Sequence, residues 1–210
     1  MTAGIKRAFD FVLAIAGLLV LSPVLFLIYI LVLVFDGRPG IFVQTRVGRR
    51  GRLFSLYKFR TMRPDNRELL VTSRDDQRVT TLGQHLRRYK LDELPQLLNV
   101  LKGEMSFVGP RPEVPKFVEL FKAEYETILT IRPGVTDLAS IIFKDESALL
   151  NAGGRDSERE YIDKVLPIKI RHNLEYVKKH GFFTDLSLII KTVAAMVRRS
   201  GSTENPSAGL

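Results

Sequence analysis

Residues 11–35 read FVLAIAGLLVLSPVLFLIYILVLVF, 25 consecutive positions without a charged side chain. At about 1.5 Å per residue, a straight helix over them would cover roughly 37 Å, more than the ~30 Å hydrocarbon core of a bilayer. The stretch far exceeds a signal-peptide core of about 7–15 residues, and no Ala-x-Ala site closes it, so residues 1–36 are expected to form a membrane anchor. Ser22-Pro23 sits in its middle, where proline removes a backbone hydrogen bond and favours a bend. Both flanks are basic, with Lys6 and Arg7 before the stretch and Arg38, Arg46, Arg49, Arg50 and Arg52 after it. Basic flanks favour the cytoplasmic side, and here both ends ask for it. A helix that enters, bends at Pro23 and returns satisfies both; an ordinary single span stays open, since proline is common in spanning helices.

The rest of the chain carries the charge. Lys and Arg number 32 against 23 Asp and Glu, a formal net charge of +9, which favours anionic lipid, nucleic acid or phosphorylated substrates. There is no cysteine, which excludes disulfides, Cys-ligated metals and thiol catalysis. The three histidines, His85, His172 and His180, lack metal-pair spacing, so a divalent ion would be held by oxygen, which favours Mg²⁺.

Periodicity gives an α+β fold, a mainly helical domain over residues 37–200 with a small β-hairpin. Residues 41–60 read as two short strands around Gly48-Arg49-Arg50-Gly51. Residues 65–76 read as an exposed loop or short helix, and residues 80–101 as a helix with an entry or break at Pro95. An amphipathic helix is expected from Glu113 to Ile131, ended by Arg132-Pro133-Gly134, and another from Ser157 to His180, interrupted near Pro167. Residues 182–199 place Phe182, Leu186, Ile189, Ile190, Val193 and Val197 on one face. That pattern suits a helix packed on the domain, the commoner cause, and equally an amphipathic helix lying in the headgroup layer. Residues 201–210, GSTENPSAGL, are expected to form a disordered tail.

No Walker loop or strand-linked Gly-x-Gly-x-x-Gly occurs, so phosphate would be handled by Arg and Lys side chains, helix N-termini and a metal. The candidates are Lys58 and Arg60 in Tyr57-Lys58-Phe59-Arg60-Thr61-Met62, Arg87 and Arg88 one turn before Asp92, and Arg111 between Pro110 and Pro112. The flanking prolines stiffen the backbone that aims the Arg111 guanidinium. Asp92 and Glu93 are adjacent, so on a helix they diverge by about 100° and cannot share a proton. They suit separate roles, one as nucleophile and the other with a metal or proton. Spacing alone favours the plainer reading, acids that suit the dipole at a helix start and arginines in solvated ion pairs.

Taken in order, several segments resemble the bacterial sugar transferase family, whose small members are monotopic phosphoglycosyl transferases. They are Lys6-Arg7-x-x-Asp10, Ser22-Pro23, Gln44-x-Arg46-x-Gly48, the Tyr57–Met62 run, Leu91-Asp92-Glu93-Leu94-Pro95-Gln96, Gly103-Glu104-Met105-Ser106-Phe107-Val108-Gly109-Pro110-Arg111-Pro112, Arg132-Pro133-Gly134-Val135-Thr136 and Asp185-Leu186. The resemblance implies transfer of a phosphosugar from a UDP-sugar to undecaprenyl phosphate with release of UMP, opening glycoconjugate biosynthesis. It implies that Asp92 attacks the sugar-linked phosphorus to form a covalent intermediate, that Glu93 assists with metal and proton, and that Mg²⁺ neutralises the diphosphate on the Asp92-Glu93 side. Arg87, Arg111 and Pro112 match positions that engage nucleotide or phosphate, and Ser22-Pro23 matches the break of a re-entrant helix. The site is then expected at the cytoplasmic face of the bacterial inner membrane, in contact with membrane lipid and without nucleic acid; a homo-oligomer is compatible with it.

The chain leaves the family pattern at Asp137–Glu146, where many members read Gly-Trp-Ala-Gln-Val-Asn-Gly-Arg, so the resemblance does not carry the donor sugar. It looks like the catalytic core without the multi-span domain of long members. A competing reading is a membrane-anchored basic module for nucleic acid or anionic lipid. Against its nucleic-acid form, aromatics are not interleaved with the basic residues as stacking platforms.

Overall fold

A computed structural model describes residues 3–63, 70–72, 76–137 and 155–201. The loop expected at 65–76, apart from Leu70–Val71–Thr72 and Asp76, the divergent segment after Asp137 and the tail from 202 lie outside them. The first element, α1 (Ala3–Phe35), is the one helix among the described residues long and apolar enough to cross a membrane. Helical assignment continues through Pro23, so the expected break is not an interruption of the helix. Proline has no N–H for the Leu19 carbonyl one turn back, and the Ser22 hydroxyl donates to that carbonyl instead, at 2.8 Å.

One stripe of α1 packs on the rest of the chain. Ala14 joins Phe54, Leu56, Val100 and Met105 in one apolar cluster, and Ile28 and Val32 join Phe59 and Leu86 in another. The opposite face leaves Val12, Leu19, Val20, Phe26, Val34 and Phe35 exposed. Polar contacts pin both ends. Lys6 pairs with Asp185, Arg7 donates to the carbonyls of Val100 and Leu101, and Asp10 accepts from the Phe107 amide. At the far end Arg60 donates to the carbonyls of Asp36, Gly37 and Arg38, which lie past the last helical turn.

Strands β1 (Ile41–Val47) and β2 (Leu53–Phe59) form the expected antiparallel hairpin, from Val47 opposite Leu53 to Ile41 opposite Phe59. Residues 80–101 do not form a single helix. After α2 (Thr81–Arg88), Lys90 adopts φ 58°, a left-handed turn; a 3₁₀ segment follows at Leu91–Gln96, then α3 (Leu97–Lys102). The segment expected as one helix from Glu113 is also divided, into α4 (Pro115–Leu120) and α5 (Lys122–Ile128). Pro115 forces the residue before it out of helical geometry, and Phe121 leaves it at φ −124°, ψ 44°. Flanking these two helices in sequence, a parallel pair, β3 (Ser106–Val108) and β4 (Gly134–Thr136), joins two distant segments.

Helix α6 (Arg155–Glu160) runs through a π turn at Tyr161–Val165 into α7 (Leu166–Lys179), which places the interruption beside Pro167 as expected. The main core lies here, with Val114, Phe117, Tyr125, Ile128, Tyr161, Val165, Leu166 and Ile170 in contact. The last helix, α8 (Phe182–Gly201), buries Asp185 and Leu188, while Phe182, Leu186 and Ile190 stay exposed. Of the apolar stripe expected to pack on the domain, Ile189 does pack, against the Val108, Tyr176 and Leu188 cluster. The rotation of α8 is set by Asp185, drawn inward by Lys6 and by the Tyr176 hydroxyl at 2.5 Å.

Candidate active site

The 3₁₀ segment after Lys90 carries Asp92 and Glu93 in its first turn, both buried. Successive side chains of a 3₁₀ helix are about 120° apart, so the two carboxylates part company at once. Glu93 Oε1 accepts from Lys58 Nζ at 2.9 Å and from Arg111 Nη2 at 2.6 Å. Lys58 comes from β2 and Arg111 from the corner after β3, so three separate segments meet at one oxygen. Asp92 is different: among the described residues its buried Oδ1 has no hydrogen-bond partner.

That contrast sets the electrostatics. Burial and the neighbouring Glu93 charge raise the Asp92 carboxyl above its ordinary range. Burial also pushes Glu93 upward, but Arg111 and Lys58 outweigh it and hold Glu93 well below the usual carboxylate range. The half-buried Lys58 ammonium is lowered by burial, and Glu93 opposes that shift. Glu93 therefore stays ionised between two cations, while Asp92 keeps an oxygen that none of the described residues satisfies.

The Gly109-Pro110-Arg111-Pro112 corner is held by the β3–β4 pair. The Gly109 amide donates to Thr136 O at 3.1 Å and the Gly134 amide to Pro110 O at 2.9 Å. A Cβ on Gly134 would stand 2.1 Å from the Gly109 nitrogen, so these backbones meet only because both residues lack a side chain. Beyond the corner, Arg46 Nη1 donates to Pro112 O at 3.1 Å and pairs with Glu113. Glu113 Oε1 also accepts from the Tyr161 hydroxyl at 2.8 Å and lies 3.5 Å from Lys169 Nζ. Burial raises Glu113, but Lys169 and Arg46 leave it below its ordinary value.

Of the residues expected from sequence, the structure brings together Asp92, Glu93, Lys58 and Arg111, with Arg87 in electrostatic reach of Asp92 and Pro112 as backbone support. It does not bring Arg60, whose guanidinium is spent on the end of α1. Ser22 and Pro23 are exposed midway along α1. Sequence reasoning left Arg46, Glu113, Tyr161 and Lys169 out of the site. Arg46 stood in a quoted motif and Glu113 directly follows one, whereas nothing local marks Tyr161 or Lys169.

The residues fit a hard cation. An unpartnered carboxylate oxygen on Asp92 could contribute one ligand, with water and substrate phosphates completing the shell, as Mg²⁺ prefers. Among the described residues no group of three or more His, Asp or Glu forms a protein-only cage.

Fold and site together define a domain, edged by an apolar helix, that gathers cationic side chains around two buried carboxylates. The chain belongs to the bacterial sugar transferase family, whose profile matches residues 1–199. It is 36% identical to the exopolysaccharide production protein ExoY of Sinorhizobium fredii, over 94% of this chain and 87% of that protein. It is 33% identical to the undecaprenyl-phosphate galactose phosphotransferase of Salmonella typhimurium, over 94% of this chain and 41% of that one. It is also 36% identical to the UDP-glucose:undecaprenyl-phosphate glucose-1-phosphate transferase of Escherichia coli, over 90% and 39%. The chain therefore spans less than half the length of these two substrate-named relatives. Family membership makes it a membrane-associated transferase.

Proposed function

We propose that this enzyme transfers a phosphosugar from a UDP-sugar to undecaprenyl phosphate and releases UMP, the first membrane step in building a glycoconjugate. The observation that carries the reading is the buried Asp92 with its unpartnered oxygen, beside a Glu93 locked between Lys58 and Arg111. An Asp92 carboxylate oxygen attacks the sugar-linked phosphorus, forming an acyl-phosphate bond as the bond to the UMP oxygen breaks. An oxygen of undecaprenyl phosphate then attacks the same phosphorus, and the Asp92 carboxylate departs regenerated. Lys58, Arg87 and Arg111 offset the charge that gathers on the phosphates. Mg²⁺, bound through Asp92 on the Glu93 side, would supply Lewis-acid neutralisation of the diphosphate.

The anchor reading that goes with this function is one-sided. A straight helix of 33 residues spans about 50 Å, yet charged and polar groups of one domain grip it at Lys6, Arg7 and Asp10 and again at Asp36–Arg38. Those contacts support re-entry, with both ends and the site on the cytoplasmic face of the bacterial inner membrane. The exposed Phe182, Leu186 and Ile190 of α8 begin where Phe9 of α1 and Phe182 meet edge to face at 6.2 Å, which supports interfacial placement of α8.

The test is a panel of UDP-sugars, UDP-glucose and UDP-galactose included, with undecaprenyl phosphate and Mg²⁺, scored by UMP release. A phosphosugar mass adduct on the peptide containing Asp92 is expected when acceptor is withheld. Absence of UMP with every donor would sink the reading in favour of a binding module. Tags at the two ends of α1 are expected to be accessible from the same side.

A further inference from the structure

Arg87 is placed unlike the other cations of the site. Lys58 and Arg111 are engaged with Glu93, whereas the Arg87 guanidinium is held at its root, Nε donating to the Thr61 hydroxyl at 2.9 Å. Among the described residues its two Nη groups make no hydrogen bond, so the fork that suits a phosphate is unspent, with Asp92 in electrostatic reach.

Thr61 is itself held in place from several directions. Its carbonyl accepts from the Thr80 amide at 3.0 Å, and the Thr80 hydroxyl both caps α2 through the Gly83 amide and donates to Asp36 Oδ2 at the end of α1. Helix α2, which carries Arg87, crosses Thr61 so closely that a Cβ on Gly83 would stand 2.2 Å from the Thr61 carbonyl oxygen. The neighbouring Arg60 fastens the same segment to the carbonyls that follow α1. The hydroxyl thus stands at a fixed point between the anchor and the arginine.

We propose that Thr61 is a positioning residue: its hydroxyl aims Arg87 through Nε, leaving the Nη pair free for a substrate phosphate, and its backbone ties that aim to the end of the membrane helix. This rests on the transfer reading for the identity of the phosphate, a nucleoside diphosphate. An arginine tethered at Nε loses less freedom on binding than one that must be found among many rotamers.

The experiment titrates UDP into the membrane-reconstituted full chain with Mg²⁺ and, in parallel, measures UMP release. Thr61→Val keeps shape and removes the hydroxyl; Thr61→Ala is a second hydroxyl-free variant, should the first fail to fold. Either is expected to weaken UDP binding about tenfold and lower turnover by at least as much, while Thr61→Ser stays within about twofold of wild type. Lysine has no Nε donor, so in an Arg87→Lys background Thr61→Val is expected to change nothing further. Equal losses in Thr61→Ser and Thr61→Val, or a full additional loss in the Arg87→Lys background, would overturn the proposal. If wild type binds UDP but releases no UMP, the transfer reading fails while the binding arm still decides the role of Thr61.

Discussion

Two buried glutamates in this molecule are each gripped by an arginine and a lysine, and they do different work. Glu113 has Arg46, Lys169 and the Tyr161 hydroxyl around it and touches no unsatisfied acid. Glu93 has Arg111 and Lys58, and beside it stands Asp92 with an oxygen left bare. Burying a charge without a partner is costly, so a closed cluster holds structure together and an open one stores reactivity. The difference lies in the neighbour rather than in the glutamate.

The largest expected effect falls on the open side. Asp92→Asn should lower UMP release by about a thousandfold or more while the protein stays folded and membrane-bound. The same variant should melt higher near neutral pH. The Asp92 carboxyl is raised by burial and by Glu93, so ionising it favours the unfolded state, and the stability it contributes at low pH is lost as pH rises through its folded value. Activity should run the opposite way, rising as Asp92 ionises; a pH–rate profile flat from acid to neutral would count against the nucleophile role. Glu93→Gln should impair turnover severely, and an unchanged Mg²⁺ dependence in that variant would argue against its metal role.

On the closed side the losses should appear in stability. Glu113→Gln leaves Lys169 and Arg46 facing each other without their shared carboxylate, at a cost of about 3–5 kcal/mol in denaturant titration. Because burial is outweighed by Lys169 and Arg46, Glu113 is lowered, so its contribution is present above the unfolded carboxylate range and lost as pH falls through the folded value. The smallest effect concerns Tyr125, whose buried hydroxyl has no partner among the described residues. Tyr125→Phe should leave stability unchanged or raise it by up to about 1 kcal/mol, with UMP release unaltered.

This contrast was only half visible in the sequence. Asp92, Glu93, Lys58 and Arg111 could be named from their motifs, and the hairpin from Gly48 and Gly51. What closes Glu113 could not, because Tyr161 and Lys169 come from the far end of the chain and carry no local signal. Pro95 marks the helix entry near the carboxylates, where α3 starts at Leu97, but the earlier break, the non-glycine Lys90 at positive φ, carries no local signal. Arg60 is two residues from Lys58 and chemically its equal, yet the free carbonyls past α1 claim it. Leucine spacing shows where α8 is apolar but not which face turns inward; Asp185, held by Lys6 and the Tyr176 hydroxyl, marks that face.

The glycine-to-glycine approach of Gly109 and Gly134 has a consequence for how such a chain can change over time. The strand carrying the catalytic corner and the strand leading to Asp137 are riveted at one point that tolerates not even a methyl group. Asp137, itself buried, directly follows the second of those strands. From Asp137 this sequence departs from the family pattern, and before it the motifs hold. A rivet there holds the backbone that carries Arg111 against a strand distant in sequence, so a side chain gained at either glycine would displace the corner itself.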